Sequence, residues 1–157
     1  VWNDTMEING KYYLFVDGQS TAGYWKVDGD FYYFDGKGNK TLKSFATGWN
    51  QIGTDWYYVS EAGTMYRNIS IKIGSEYYYF NSYGVMAKNY LYQRPYYNYE
   101  GRSFLYYGAD GKRVKNCWKQ INGRWYYFDA NGWSLVGKHK IGGKWYIFGM
   151  NGLEVSE

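Results

Sequence analysis

The chain has 157 residues, with 18 Lys and Arg against 14 Asp and Glu, a net charge of +4 and no block of like charges, a balance that points away from a nucleic-acid partner. Aromatic residues make up 24% of it, including 22 Tyr and 8 Trp, so much of its apolar area carries a polar tip and suits half-wet surfaces. The single cysteine, Cys117, excludes an internal disulfide framework and any multi-cysteine metal site, and no apolar run is long enough to span a membrane.

Taken in chain order, aromatic blocks recur as KYYLF at 11–15, DFYYF at 30–34, DWYYV at 55–59, EYYYF at 76–80, SFLYY at 103–107, RWYYF at 124–128 and KWYIF at 144–148. Their first aromatics are Tyr12, Phe31, Trp56, Tyr77, Phe104, Trp125 and Trp145, separated by steps of 19 to 27 residues. A period of about twenty predicts an all-β solenoid of about seven stacked β-hairpin repeats, running through residues 1–157 as a single array. A β-branched residue stands four positions before the first aromatic of most copies, as Ile8, Val27, Ile52, Ile73, Ile121 and Ile141.

Between each such residue and its block lies turn chemistry. Asn9-Gly10, Asp28-Gly29, Asn122-Gly123 and Gly142-Gly143 suit type I′ turns, whose central residues both take positive φ, whereas Gly53-Thr54 and Gly74-Ser75 suit type II′. Asp28-Gly29-Asp30 is therefore a hairpin turn and not a calcium loop. Asp17, Asp35 and Asp129 are placed at hairpin exits, where stretches such as Asp129-Ala130-Asn131-Gly132 pass the chain to the next repeat. The segment from Asn89 to Gly101, which holds Pro95, departs most from the period and reads as an insertion that bends the array or, since its Arg and Tyr residues suit polar polymer contacts, as a ligand loop. Along a block, alternate side chains point to opposite faces, so Trp125 and Tyr127 share one side while Tyr126 and Phe128 share the other. An isolated hairpin is marginal in water, so neighbours must stack, and a thin array leaves aromatic surface in the grooves between them.

The stretch WKQINGRWYYFDANG at 118–132, together with the blocks and spacing above, resembles the cell-wall-binding repeat superfamily, which embraces choline-binding, glucan-binding and clostridial toxin-type repeats. The resemblance implies a non-catalytic binding module without a cofactor. Its implied partners are cell-wall polysaccharide, glucan or choline-bearing teichoic acid, and its implied setting is the surface or surroundings of a Gram-positive bacterium. It further implies aromatic cages between consecutive hairpins. Residue by residue, one such cage falls on Trp49, Trp56, Met65 and Tyr78, a second on Trp118, Trp125 and Tyr146, and a third on Tyr24, Phe31 and Tyr57. Cys117 replaces a Gly of that pattern, and Leu135 stands where a Met is usual; Met65 and Met86 also suit the filling of core gaps. Ser70 and Lys138 occupy the positions held elsewhere by Tyr24, Trp49 and Trp118, so no cage is expected there.

This irregularity favours a carbohydrate or mixed cell-wall ligand over choline, with Asn50, Gln51, Lys119 and Gln120 as hydroxyl partners. A structural spacer or protein-interaction stalk is the third reading. Catalysis is not expected, because no carboxylate pair is set for glycoside chemistry and His139 is the sole histidine. The opening residues, Val1-Trp2-Asn3-Asp4, read as mid-chain sequence and suggest part of a larger surface or secreted protein whose targeting segment lies elsewhere.

Overall fold

In the computed structural model, which describes residues 3–93 and 103–156, strands and turns alternate and no described residue is helical. Strands β1 (Asp4–Ile8), β2 (Lys11–Val16), β3 (Gln19–Val27), β4 (Asp30–Asp35) and β5 (Lys40–Lys43) form one antiparallel meander. Four two-stranded sheets follow, pairing β6 (Gly48–Ile52) with β7 (Asp55–Val59), β8 (Ile69–Ile73) with β9 (Glu76–Phe80), β10 (Tyr90–Gln93) with β11 (Phe104–Tyr107), and β12 (Cys117–Ile121) with β13 (Arg124–Phe128). The last sheet joins β14 (Gly137–Ile141), β15 (Lys144–Gly149) and β16 (Gly152–Ser156). Each aromatic block lies on a strand, and the all-β expectation holds. Of the segment at 89–101, residues from 94 onward lie outside the described residues.

The turns behave as their residues dictate. Asn122 and Gly123 take φ of 50° and 77°, as a type I′ turn requires, while Gly53 and Gly74 supply the single positive φ that opens a type II′ turn. Asp17 departs from expectation: with φ of 53° beside Gly18 at 78°, it is a hairpin turn between β2 and β3 and not an exit. That extra turn merges the first two aromatic hairpins into the five-stranded sheet.

True exits share another device. The Asp129 carboxylate accepts the N–H groups of Asn131 at 2.8 Å and Trp133 at 2.9 Å. Asn81 does the same for Tyr83 and Val85, and Asp35 for Lys37 and Asn39. Past the exit, the chain returns to the preceding hairpin: the N–H groups of Met86, Arg113 and Ser134 donate to the carbonyls of Trp56, Tyr77 and Phe104 at 2.8, 2.9 and 2.8 Å.

The chain divides into two compact units, residues 1–71 with 79–86, and residues 72–78 with 87–157. In the first, Leu14, Val16 and Phe34 form one buried cluster, and Phe31, Tyr57, Val59 and Met65 form another, with Tyr24, Phe45, Ile52 and Val85 packed against it. In the second, Tyr106, Ile121, Tyr126 and Phe128 are buried together. The alternation along each block decides which rings these are: Tyr57 and Val59, like Tyr126 and Phe128, turn inward, while Trp56 and Trp125 turn out.

Two expectations follow from this packing. Burial, followed by the charge of Asp55, pushes the Tyr57 phenol up from 10.0 to about 12. Because the folded value lies above the unfolded one, Tyr57 contributes stability that is complete below pH 10 and is lost as pH rises from about 10 toward 12. Urea midpoints measured across that window should fall less steeply for Tyr57→Phe than for the parent. The second concerns Gly132, whose φ is 88° and where an added Cβ would lie 2.6 Å from Arg113 Cδ and 2.9 Å from the Val114 carbonyl oxygen. Gly10, at 74°, has nothing within 4 Å of that position. Gly10→Ala should cost about 1 to 2 kcal/mol, the ordinary left-handed penalty, and Gly132→Ala distinctly more in the same urea assay.

Candidate functional site

Trp49 owes its position to the turn before it. Gly48 adopts φ of 92°, and the Asn50 side chain accepts the Ala46 N–H at 2.9 Å while donating to the carbonyls of Ala46 at 2.8 Å and Gly48 at 3.0 Å. Asn50 is thereby committed to the turn. In the β6–β7 register Trp49 faces Tyr58 and Gln51 faces Trp56, so all four share one side of the hairpin. The Trp49 ring stands at 87° to Trp56 with centroids 6.0 Å apart, and at 83° to Tyr58 at 5.2 Å. Phe80, fully buried, lies 5.9 Å from Trp49, and Tyr66 stacks parallel to Tyr58 at 5.5 Å. The result is a box in which Trp49 stands perpendicular to both Trp56 and Tyr58 and is still 36% exposed.

Met65, also expected here, is instead buried in the core with Phe31, Tyr57 and Val59, on the inward side that Val59 selects by bridging to it. Tyr78, the fourth residue expected here, is half-buried on β9.

The same arrangement recurs around Trp118. Its ring stands at 80° to Trp125 at 6.5 Å, at 76° to Tyr127 at 5.4 Å and at 66° to Tyr146 at 4.9 Å, with buried Phe148 at 5.6 Å beneath. Thus the structure brings Trp118, Trp125 and Tyr146 together. Trp125 is 45% exposed and faces Gln120 across the hairpin. Where Cys117 replaces the glycine, the left-handed residue moves back one place to Asn116, at φ of 50°. Leu135 is the counterpart of Tyr66, because both donate their N–H to the carbonyl of the tyrosine three places into the block, Tyr127 and Tyr58 respectively. The counterpart of Met65 is Ser134, which bridges to Phe128 as Met65 does to Val59.

Tyr24, Phe31 and Tyr57 are also close together, but as core. Tyr24 meets Tyr57 edge-on at 5.4 Å, and Phe45 packs within 5.2, 5.0 and 5.9 Å of Tyr24, Phe31 and Tyr57. Phe31 and Tyr57 are only 8% and 5% exposed. Beside them the Arg67 guanidinium lies over Trp25 at 4.6 Å, donates to the carbonyls of Tyr24 and Ser82, and is pushed down to about 10 by burial while remaining protonated.

At the positions without a groove aromatic, Lys138 places its ammonium 5.2 Å from the Trp145 ring, and Lys140 follows at 5.9 Å. Lys119 turns to Tyr106 at 5.8 Å. Among the described residues no three His, Cys, Asp or Glu side chains are grouped to hold a metal ion, and no helix is long and apolar enough to cross a membrane. Sequence reasoning missed Tyr58, Tyr66, Tyr127, Phe80 and Phe148 as walls and floors of the boxes. Tyr58 and Tyr127 were accessible by counting cross-strand partners through the turn.

A family described as a choline-binding repeat matches residues 101–136, and one described as a putative cell wall binding repeat matches residues 47–65 and 71–86. Those stretches contain Trp118 with Trp125 and Trp49 with Trp56. Among curated proteins, a glucosyltransferase-S of Streptococcus mutans is 30% identical over 163 residues, covering 83% of this chain and 10% of that protein. A glucosyltransferase-S of Streptococcus downei is 32% identical over 132 residues, covering 74% of this chain and again 10% of the relative. The chain therefore spans about a tenth of the length of these curated relatives. Among solved structures, choline binding protein F of Streptococcus pneumoniae aligns with a TM-score of 0.56 at 23% identity, over 95% of this chain and 50% of that one. The multimodular pneumococcal cell wall endolysin from phage Cp-1, complexed with choline, aligns with a TM-score of 0.55 at 25% identity, over 73% of this chain and 32% of that one. Through its repeats, this chain belongs to the superfamily of cell-wall-binding and choline-binding repeats.

Proposed function

We propose that the chain is a non-catalytic module, secreted or at the cell surface, that attaches to a bacterial cell-wall polymer by enclosing quaternary ammonium groups in the Trp49 and Trp118 boxes. The observation that carries this reading is the repetition of one geometry, Trp set perpendicular to Trp and Tyr over a buried Phe, at two places in the chain. Ring faces are negative and ring edges positive, so perpendicular rings around one volume direct several negative faces at a compact cation, each contributing about 0.5 to 2 kcal/mol. Trp49, Trp56 and Tyr58 would hold the first cation, and Trp118, Trp125 and Tyr146 the second. Weak sites of this kind gain avidity on a polymer that repeats its ligand. The two matched families and the choline-bound endolysin support the same reading.

A glucan is the second reading. It is favoured by Gln51 and Gln120, each placed directly across from the outward Trp of its hairpin, where an amide could meet the hydroxyls of a sugar lying on the indole, and by the glucosyltransferase relatives.

Intrinsic tryptophan fluorescence distinguishes them. Choline should shift the emission and dextran should not; a response to dextran alone would replace the first reading with the second, and silence toward both would remove the ligand-binding role. In the choline titration, Trp118→Ala should weaken one phase by roughly 2- to 30-fold, the range set by the loss of a cation–π contact, while leaving the Trp49 phase in place. Because Trp49 and Trp118 line grooves, neither alanine variant should abolish the far-ultraviolet strand signal.

A further inference from the structure

Four residues share one register after the hairpin exits. Met65, Met86, Arg113 and Ser134 bridge respectively to Val59, Phe80, Tyr107 and Phe128, the last residues of their aromatic strands. Three of them also bond to the carbonyl of the first aromatic of the preceding hairpin: Met86 to Trp56, Arg113 to Tyr77 and Ser134 to Phe104. The backbone at this register is thus fixed against the preceding hairpin. Gly152 also lies close to the preceding hairpin, since an added Cβ there would lie 2.5 Å from the Trp125 carbonyl oxygen, and Trp125 is 45% exposed.

At Tyr77 the covering residue is a cation. The Arg113 guanidinium carbon lies 4.2 Å from the Tyr77 ring centroid and 5.8 Å from that of Tyr107, inside cation–π range of both. Its Nη2 donates to the Tyr107 hydroxyl at 3.3 Å and its Nη1 to the Asn131 carbonyl at 3.4 Å. The stem is held from the far side by Gly132, where no side chain fits. Tyr77 stays 36% exposed, but a planar guanidinium denies the face it lies on to another group, and its charge repels any second cation that approaches.

We propose that Arg113 fills the Tyr77 groove from within the chain, acting as a specificity-determining residue that restricts external ammonium ligands to the Trp boxes. This rests on the reading that those boxes take a cation, and the test separates the two. Protein carrying ¹³C-labelled tyrosine, with the Tyr77 signal assigned by its loss in Tyr77→Phe, is titrated with choline while tryptophan fluorescence reports on the boxes. Tyr77 should stay unperturbed in the parent and in Arg113→Lys, which keeps an ammonium on the ring. In Arg113→Ser, which copies the residue present at 134, Tyr77 should respond at choline concentrations that leave it unperturbed in the parent. A Tyr77 response in the parent at the concentrations that saturate the tryptophans would overturn the proposal, as would silence at Tyr77 in a folded Arg113→Ser protein. The parent arm decides by itself if that variant does not fold. Silence at the tryptophans in every form would instead overturn the cation reading of the boxes, and the Arg113→Ser arm would still decide whether Arg113 covers a cation-accepting ring.

Discussion

A backbone hydrogen bond that reaches back one repeat organises this protein. A two-stranded hairpin has neither the area nor the thickness to stabilise itself in water, so each must hold a neighbour at fixed height. The bonds from Met86, Arg113 and Ser134 to the carbonyls of Trp56, Tyr77 and Phe104 supply that spacing without using any side chain. Side chains at the same register are then free to vary, and their variation as Met, Arg and Ser differentiates hairpins that share a backbone.

Strand alternation does the rest. Inward rings such as Phe80 and Phe148 are sealed, and they form floors on which the outward Trp49 and Trp118 rest. Edge-on ring contacts, each contributing about 0.5 to 1.5 kcal/mol beyond simple burial, hold the Trp–Trp–Tyr boxes in shape before any ligand arrives. Preorganisation of this kind lowers the ordering cost of binding, which matters where a single site is weak. Elsewhere the same aromatic richness is spent internally: Phe45 closes the Tyr24 cluster, Arg67 lies on Trp25, and Lys40 lies 4.0 Å from the Tyr12 ring. Aromatic repeats are therefore a poor measure of how many ligands such a chain holds.

Strands, aromatic blocks and nearly every turn are legible in the residues alone, because a type I′ or II′ turn depends on two adjacent residues whose φ preferences are intrinsic. Asn9-Gly10, Asn122-Gly123 and Gly53-Thr54 needed no knowledge of the rest of the chain. Asp17-Gly18 carried the same signal and was misplaced only because the repeat period assigned it to an exit. The grouping of Trp118, Trp125 and Tyr146 was legible too, since the repeat fixes their relative register. Which ring faces stay open is a matter of packing. That outcome depends on residues remote in sequence: Phe45 against Phe31 and Tyr57, Arg67 over Trp25, and Arg113 over Tyr77. Exposure is a property of what packs against a ring, and no local pattern around Phe31 encodes the neighbour that covers it.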